Sequence, residues 1–339
     1  MGEHRPTLVR SPPLDTSKAP IENALELTDL SIIGPDIFTN TRELWHPPGA
    51  RGIYGGAVIA QTLAAAQRTV PADFVVHSYH CFFVLAGDSS VPILYHVERV
   101  REGRSFCTRT VQARQRGHAI LTVTCSFVRE DGGGGGDGKL VVAHEKPMPG
   151  GAVPPPDDYS GADSKDDPFE SWRCKPTDGH KPVEEKRVWQ WVRARGKISA
   201  DGGLGAHMSA LAYISDSYFI GTIPRIHQLW RYGISKGSAE PGGEEEEEEE
   251  EEGEDAGVLS GFKGKPQLGM LVSLDHSIYF HNARRVKADE WMFMEMESPW
   301  AGDGRGVVTQ RVYSRDGTLL ATAFQEGVVR LKQDKKAKL

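Results

Sequence analysis

The sequence predicts an α+β fold in which one unit, a helix followed by a run of antiparallel strands, occurs twice. Two stretches read alike, GRSFCTRTVQARQRGHAILTVTCSF at 103–127 and GRGVVTQRVYSRDGTLLATAFQEG at 304–327. Each alternates apolar and polar residues around a turn, as strands do. Each also follows a His-Ser pair, His77-Ser78 or His276-Ser277, and an apolar stretch of helical length. This internal repeat predicts the architecture before any motif is considered.

Composition divides the chain into five parts. We expect a flexible N-terminal tail and lead-in over 1–40, a first repeat unit over 41–130, a Gly/Pro-rich linker over 131–185, a second unit over 186–331 and a basic tail over 332–339. A chain of 339 residues exceeds the usual size of a single core, which favours two. The glutamate-rich stretch 238–260 has nothing to bury, so we expect a disordered surface loop inside the second unit.

The formal charge of −7 is misleading because eleven acidic residues lie within 244–255. The rest of the chain carries a net charge of +4, which weakly favours an anionic ligand. Basic residues are scattered and no nucleic-acid module is present, so no nucleic acid is expected. Four cysteines without paired spacing indicate a reducing compartment, and no metal motif or cofactor motif is found. No apolar run reaches the roughly 18 residues of a membrane span.

The last three residues, Ala337, Lys338 and Leu339, are a conservative variant of the Ser-Lys-Leu peroxisomal signal. They follow a charged segment that an import receptor can reach. The tail therefore predicts a peroxisomal matrix protein with that receptor as a partner.

The alternation of the strands assigns their faces. In the last strand Ala321, Ala323, Gln325 and Gly327 share one side, and Ser273 also lies on a face of small or polar residues. A face of small and polar residues is typical of a sheet that contacts a ligand or a polar group instead of an apolar core. One helix wrapped by a curled antiparallel sheet, present twice, is the double hot-dog arrangement.

Six blocks in order resemble the type II acyl-coenzyme A thioesterases, including the peroxisomal member. They are YGGAVIAQTLAAAQ from Tyr54, VHSYHCFFVLAGD from Val76, PILYHVERVREGRSF from Pro92, LAYISDSYF from Leu211, LDHSIYFH from Leu274 and QEGVVR from Gln325. The resemblance implies hydrolysis of a fatty acyl-coenzyme A to free acid and coenzyme A. It also implies that Asp216, Ser273 and Gln325 occupy the family's hydrolytic positions, with no cofactor. A carboxylate can take a proton from water, while a hydroxyl and an amide hold that water in place.

Other residues are accessory candidates. Gly55 and Gly56 open the first helix, whose N–H groups could hold an oxyanion or phosphate, although a structural turn explains them equally well. His77 begins the first unit's counterpart of the catalytic strand, whereas His80 and His276 read as histidines satisfied by backbone carbonyls. Phe82 and Phe83 could line an acyl slot, and Arg99, Arg101, Arg104 and Arg109 could meet phosphates or simply face solvent.

The first unit lacks the acid. Its helix offers Gln61, and Cys125 is expected to stand where the second unit has Gln325, so one active site per chain is predicted. Two alternatives remain at this point: a non-catalytic acyl-coenzyme A-binding protein and a hot-dog enoyl-coenzyme A hydratase. The adjacent Asp275 and His276 project to opposite faces of a strand, which disfavours the hydratase. Association into a homo-oligomer is left open by the sequence.

Overall fold

The computed structural model describes residues 11–47, 50–129, 140, 142–156, 159, 167–174, 180–229 and 266–333. The glutamate-rich loop at 238–260, the Gly-rich turn at 131–138 and the terminal tripeptide at 337–339 lie outside the described residues.

The first repeat consists of one central helix and four long strands. These are α2 (Gly55–Gln67), β3 (Phe74–Phe83), β4 (Leu94–Glu102), β5 (Phe106–Gln115) and β6 (His118–Arg129). A lead-in of α1 (Pro20–Leu25), β1 (Leu27–Asp29) and β2 (Ile37–Asn40) precedes it.

The second repeat follows the same order. It comprises β7 (Phe169–Arg173), β8 (Val188–Ala194), α3 (Gly203–Ser215), α4 (Thr222–Ile226), β9 (Leu268–Ser273), β10 (Asp275–Phe280), β11 (Met292–Gly302), β12 (Arg305–Ser314) and β13 (Leu319–Leu331). The helix-then-strands repeat predicted from the sequence is therefore present, and the predicted α+β double hot-dog arrangement is confirmed.

In the described part of the chain, thirteen strands form one antiparallel sheet, with the order β1-β2-β4-β5-β6-β3-β10-β13-β12-β11-β8-β7 and β9 paired with β13. The two repeats meet where β3 pairs with β10, with His80 opposite Ser277 and Cys81 opposite His276. The sheet curls around α2 and α3, and we call the side facing these helices the inner face. One continuous sheet thus joins two helix-wrapped halves.

The two central helices run antiparallel and pack closely. A Cβ atom on Gly56, near the start of α2, would lie 2.4 Å from the carbonyl oxygen of Tyr213, near the end of α3. At the opposite end, a Cβ atom on Gly205 would lie 2.6 Å from Oε1 of Gln67. The glycine at position 56 lets the two backbones approach, and the two contacts together show that the C-terminal end of each helix lies beside the N-terminal end of the other.

The lead-in is more ordered than the sequence suggests, because residues 20–40 of the expected tail add α1 and two strands to the structure. Glu22 is buried in α1, where its carboxylate accepts hydrogen bonds from the backbone N–H of Ala19 and from the Ser199 hydroxyl. The hydrogen bond between Glu22 and Ser199 connects the lead-in to the turn before α3. One buried acid therefore anchors a segment that the sequence predicts to be a flexible tail. These hydrogen bonds to Ala19 and Ser199 hold the pKa of Glu22 below its usual value despite burial.

The expected linker also contributes to the sheet and its packing. Strand β7 lies within 131–185, and Met148, Ala152 and Tyr159 pack against an aromatic cluster on the outer face of the second repeat. The buried members of that cluster are Trp191, Trp291, Phe293, Tyr313 and Leu319. Burial of these large side chains explains why a Gly- and Pro-rich connection is held against the sheet.

The ladders change which residues correspond between the repeats. Ser277 pairs with Phe324 and Ser78 pairs with Ser126, so Gln325 corresponds to Phe127 and not to Cys125. Arg109 and Gln310 hold equivalent ladder positions and donate to the carbonyl oxygens of Thr69 and Ser215, so the counterpart of Asp216 is Val70 and not Gln61. Gln61 instead bonds the Tyr95 hydroxyl and the carbonyl of Ala24. The sequence comparison misplaced both because small insertions at turns shift the spacing of the repeat.

Candidate active site

Asp216 is the residue that directly follows α3, and its carboxylate lies at the beginning of α2. The backbone N–H of Gly56 donates a hydrogen bond to it, and only 9% of its side chain is exposed. A carboxylate at this place satisfies one of the free N–H groups of a helix N-terminus and is favoured by the helix dipole. The acid of one repeat thereby sits against the helix of the other.

Gln325 is in direct contact with the Asp216 carboxylate. It lies on the inner face of β13, is 1% exposed and donates from Nε2 to Oδ1 of Asp216 over 2.8 Å. Its carbonyl oxygen Oε1 is buried and has no hydrogen-bond partner. Because a buried amide oxygen without a partner is costly, this atom is suited to accept a hydrogen bond from a small molecule held at Asp216.

The environment of Asp216 favours its neutral form. Burial raises the pKa of Asp216 from 3.8 to about 7, although the hydrogen bonds from Gln325 and Gly56 act in the opposite direction. A carboxylate whose pKa lies near neutrality can accept a proton from water more readily than an ordinary exposed aspartate, because general bases work best when their pKa is near the operating pH.

Ser273 faces the same side of the sheet as Gln325. It pairs with Gly327, two residues beyond Gln325 on β13, and lies diagonally across the ladder from it. No hydrogen bond joins Ser273 to Asp216 or Gln325 in the described residues. Ser273 and Gln325 therefore share the inner face of the sheet, and Asp216, at the end of α3, contacts Gln325 directly.

A one-residue register shift follows Ser273. The pairing changes from Ser273 with Gly327 to Ser277 with Phe324, so one extra residue is accommodated near Leu274. In a regular strand, two residues an odd number of positions apart point to opposite faces, but a bulge between them brings both to the same face. Bulges are frequent beside active sites. As a result both Ser273 and His276 project toward the inner face on either side of Gln325.

His276 is fully buried next to the carboxylate. Its Nε2 lies 3.0 Å from the hydroxyl of Ser215, and its Nδ1 lies 3.9 Å from Oδ1 of Asp216. The sequence-based expectation of a backbone carbonyl partner was wrong, because the partner is a helix hydroxyl. No sequence signal could reveal this contact, since it depends on how α3 packs against β10.

Gly55 and Phe83 shape the opening beside the carboxylate. A Cβ atom on Gly55 would lie 2.8 Å from Oδ2 of Asp216 and 2.9 Å from the Phe83 ring. A glycine is therefore required if the carboxylate and the ring are to keep their places. Phe82, one residue earlier, is 63% exposed on the outer face, so only Phe83 of the two candidate slot residues lies at the site.

The structure places His77 away from Asp216. Its Nε2 lies 2.8 Å from the Ser126 hydroxyl on the outer face of the sheet, and its ring contacts Phe106 edge to face. A register shift between Val76 and Ser78 turns the side chain outward. Two of the four candidate arginines are also engaged: Arg109 is buried and bonds Thr69 at the end of α2, and Arg99 pairs with Asp36.

The first repeat has no equivalent of the site. The position of Asp216 is held by Val70, that of Ser273 by Phe74 and that of Gln325 by Phe127. Phe74 and Phe127 are apolar, so no acid–amide pair forms there. Among the described residues, no helix is long and apolar enough to cross a membrane, and no three His, Cys, Asp or Glu side chains converge as metal ligands.

Comparison with known proteins identifies the relatives of this chain. The family model described as the acyl-CoA thioesterase N-terminal domain matches residues 42–128, and the model described as the C-terminal domain matches 149–329. Acyl-coenzyme A thioesterase 8 of Mus musculus is 35% identical over 307 residues, which covers 86% of this chain and 84% of the mouse protein. Peroxisomal acyl-coenzyme A thioester hydrolase 1 of Saccharomyces cerevisiae is 23% identical, covering 93% and 97%.

Solved structures agree with the fold. The acyl-CoA thioesterase II TesB2 from Mycobacterium marinum has a TM-score of 0.65 and 28% identity, covering 93% of this chain and 99% of that protein. A conserved protein of unknown function with a hot-dog fold from Alicyclobacillus acidocaldarius has a TM-score of 0.61 and 17% identity, covering 92% and 98%. The chain therefore belongs to the acyl-CoA thioesterase family of thioester hydrolases.

Proposed function

We propose that this chain hydrolyses fatty acyl-coenzyme A by base-assisted attack of a water molecule held by Asp216, Gln325 and Ser273. The observation that carries the proposal is the 2.8 Å contact between Gln325 and a buried Asp216 carboxylate at the start of α2. Its pKa, raised by burial to about 7, is suited to accepting a proton near neutral pH.

Each of the three residues has a separate task. Oδ2 of Asp216 faces the space above Gly55 and takes the proton of the water. Gln325 holds Asp216 through its amide N–H and directs the water through Oε1, which is buried without a partner. The Ser273 hydroxyl, diagonally across the ladder, supplies the third contact to the water or the substrate.

The beginning of α2 supports the thioester oxygen. The N–H of Gly56 bonds Asp216, and the N–H of Gly55 is one of the first four of α2, which have no partner within the helix itself. This group belongs to the first turn of a 13-residue helix, whose dipole favours negative charge. The oxyanion that forms on the carbonyl during attack is thus stabilised beside the base.

The atoms balance without a covalent enzyme intermediate. The water oxygen bonds to the thioester carbon while Asp216 takes one proton, and the carbon–sulfur bond then breaks. The coenzyme A thiolate leaves and receives the proton from Asp216, which regenerates the carboxylate. Positioned base catalysis of this kind contributes roughly a hundred- to ten-thousand-fold to the rate.

Thiol release from a series of acyl-coenzyme A esters, followed with a thiol-reactive dye, tests the proposal. We expect Asp216→Asn and Gln325→Ala to lose at least about a hundredfold in kcat while retaining the fold. Gln190→Ala is the matched control, because Gln190 is an equally buried glutamine on β8 whose side-chain hydrogen bond, within the described part of the chain, goes to Met294 and not to the site. Full activity in both site variants would refute the roles given to Asp216 and Gln325.

The same assay separates the two alternatives. A hydratase would consume the absorbance of an enoyl-coenzyme A without releasing thiol, and a non-catalytic binding protein would do neither. The buried position of His276, 0% exposed behind Ser215, leaves it unable to contact a substrate, which disfavours a hydratase acid–base pair.

We also propose a location in the peroxisomal matrix, reached through an import receptor that reads Ala337, Lys338 and Leu339. The tripeptide resembles a known signal, and one relative carries the word peroxisomal in its name. A fluorescent fusion at the N-terminus should move to the cytosol when Leu339 is deleted. Unchanged peroxisomal fluorescence after the deletion would show that the tail is not the signal.

A further inference from the structure

We propose that His276 is a positioning residue for Asp216: its Nδ1 accepts a hydrogen bond from the protonated carboxyl and thereby stabilises the state that forms when water gives up its proton. The inference rests on the base role proposed for Asp216. Its starting point is that Nδ1 of His276 is buried, has no hydrogen-bond partner and lies 3.9 Å from Oδ1 of Asp216.

The hydrogen bonds of Ser215 determine which ring nitrogen carries the proton. The single hydroxyl proton of Ser215 is donated to the carbonyl of Ala212 over 2.8 Å. The 3.0 Å contact between Ser215 and Nε2 of His276 is then made with the hydroxyl as acceptor. Nε2 therefore carries the ring proton, and Nδ1 presents a lone pair toward Asp216.

An unprotonated nitrogen at this distance makes no bond to an ionised carboxylate. The proton taken up by Oδ2 reaches the side of His276 when the carboxyl group turns over and exchanges its two oxygens, and a shift of about 1 Å then brings the O–H within hydrogen-bond reach of Nδ1. The lone pair opposes negative charge on Asp216 and stabilises its acid form. His276 thus makes the carboxylate a stronger base without touching the substrate.

The other groups near Asp216 do not offset this effect. Tyr54 from the start of α2, Tyr213 from α3 and Cys81 from β3 interact electrostatically with Asp216, and burial raises the pKa of each. All three are therefore neutral near pH 7. Burial also lowers the pKa of His276 to about 3, so the ring stays neutral wherever the enzyme works. None of these described groups brings a positive charge to Asp216.

Two substitutions of His276 separate the two ring nitrogens. The carbonyl oxygen of Asn in His276→Asn takes the place of Nδ1 as an acceptor but loses the contact with Ser215. The amide N–H of Gln in His276→Gln keeps the contact with Ser215 but removes the acceptor facing Asp216. A purely structural role, in which the bond to Ser215 matters most, predicts that the Gln variant resembles the wild type.

The readout is the pH profile of kcat and KM for thiol release. For His276→Gln we expect the acidic limb of kcat to move down by about one pH unit and the plateau to fall roughly tenfold, with KM unchanged. For His276→Asn we expect a limb within a few tenths of a unit of the wild type. A wild-type profile for Gln, or equal losses in both without a shifted limb, would overturn the proposal.

Asp216→Asn distinguishes failure of this inference from failure of the proposed function. If Asp216→Asn keeps its activity, the base assignment fails, whatever the His276 variants do. A second measurement uses the wild-type protein alone and records the ¹⁵N spectrum of its histidine rings. The His276 signals can be assigned through contacts with the Phe219 ring, whose centroid lies 5.4 Å from that of His276. We expect protonated Nε2 and bare Nδ1, and a proton on Nδ1 would also overturn the proposal.

Discussion

Replacing Asp216 by Asn should change the pH dependence of stability in a direction that identifies a buried acid. In the wild type the pKa of Asp216 is raised from 3.8 to about 7, chiefly by burial. Between these two values the folded protein keeps the Asp216 proton while the unfolded chain releases it. Protons are therefore lost on unfolding, and the stability contributed at this position falls as pH rises from about 4 to about 7.

The magnitude follows from the same difference. One pKa unit corresponds to about 1.36 kcal/mol, so ionising Asp216 in the folded protein costs about 4 kcal/mol above pH 7. Asn bears no charge at any of these pH values and avoids that cost. The Asn amide has one acceptor oxygen where the carboxylate has two, so one of the hydrogen bonds from Gln325 and Gly56 is lost. The cost of that loss does not depend on pH. Relative to the wild type, Asp216→Asn should gain about 4 kcal/mol between pH 4 and pH 8.

The assay is urea unfolding of both proteins at pH 4, 5, 6, 7 and 8, followed by tryptophan fluorescence. Subtracting the wild-type free energy of unfolding from that of the variant removes the contribution of all other titrating groups. The Asn variant should be the more stable protein at pH 8 and the less active one at every pH. A difference in free energy that is constant across the pH series would refute the raised pKa and, with it, the reason why Asp216 is a suitable base.

Three further predictions follow from the same geometry. The kcat of the wild type should rise with pH through about 7, because Asp216 must be ionised to accept a proton; a rate that is flat from pH 5 to 8 would contradict this. Gly55→Ala should lose at least about tenfold in kcat because its Cβ atom displaces the carboxylate, whereas Gly150→Ala, with no atom within 4 Å of the new Cβ, should be neutral in both activity and thermal stability. Arg109→Met should lower the free energy of unfolding by about 3 kcal/mol, because three charged hydrogen bonds to Thr69 and Glu102 are lost, with kcat per folded molecule unchanged; an inactive but stable variant would instead place Arg109 in the site.

Much of the fold was accessible from the sequence because its signals are local. Alternating strands, an apolar helix in each repeat and the repeat itself are patterns of neighbouring residues, and hydrophobic periodicity reports them directly. The ordered lead-in was not accessible, because α1 is anchored by the buried Glu22 carboxylate to Ser199, far along the chain. Hydrogen bonds between distant segments leave no periodic trace.

The candidate site residues follow from the sequence, whereas their arrangement in space does not. Asp216, Ser273 and Gln325 are the residue types that water attack requires, and they were found through a family resemblance together with the polar face of the strands. Their mutual positions depend on the register of β9, β10 and β13, including a one-residue shift that no alternation pattern predicts. The same registers moved the counterpart of Gln325 from Cys125 to Phe127.

By itself the sequence determined that the chain is a duplicated helix-and-sheet protein and which chemical groups it offers for hydrolysis. Only the tertiary structure decided that the end of α3 meets the start of α2, since antiparallel packing through Gly56 and Gly205 brings those ends together. That meeting removes Asp216 from water and gives it a helix N-terminus, an amide and the ring of His276 as neighbours. Proton affinity is a property of surroundings, and surroundings exist only after the chain has folded.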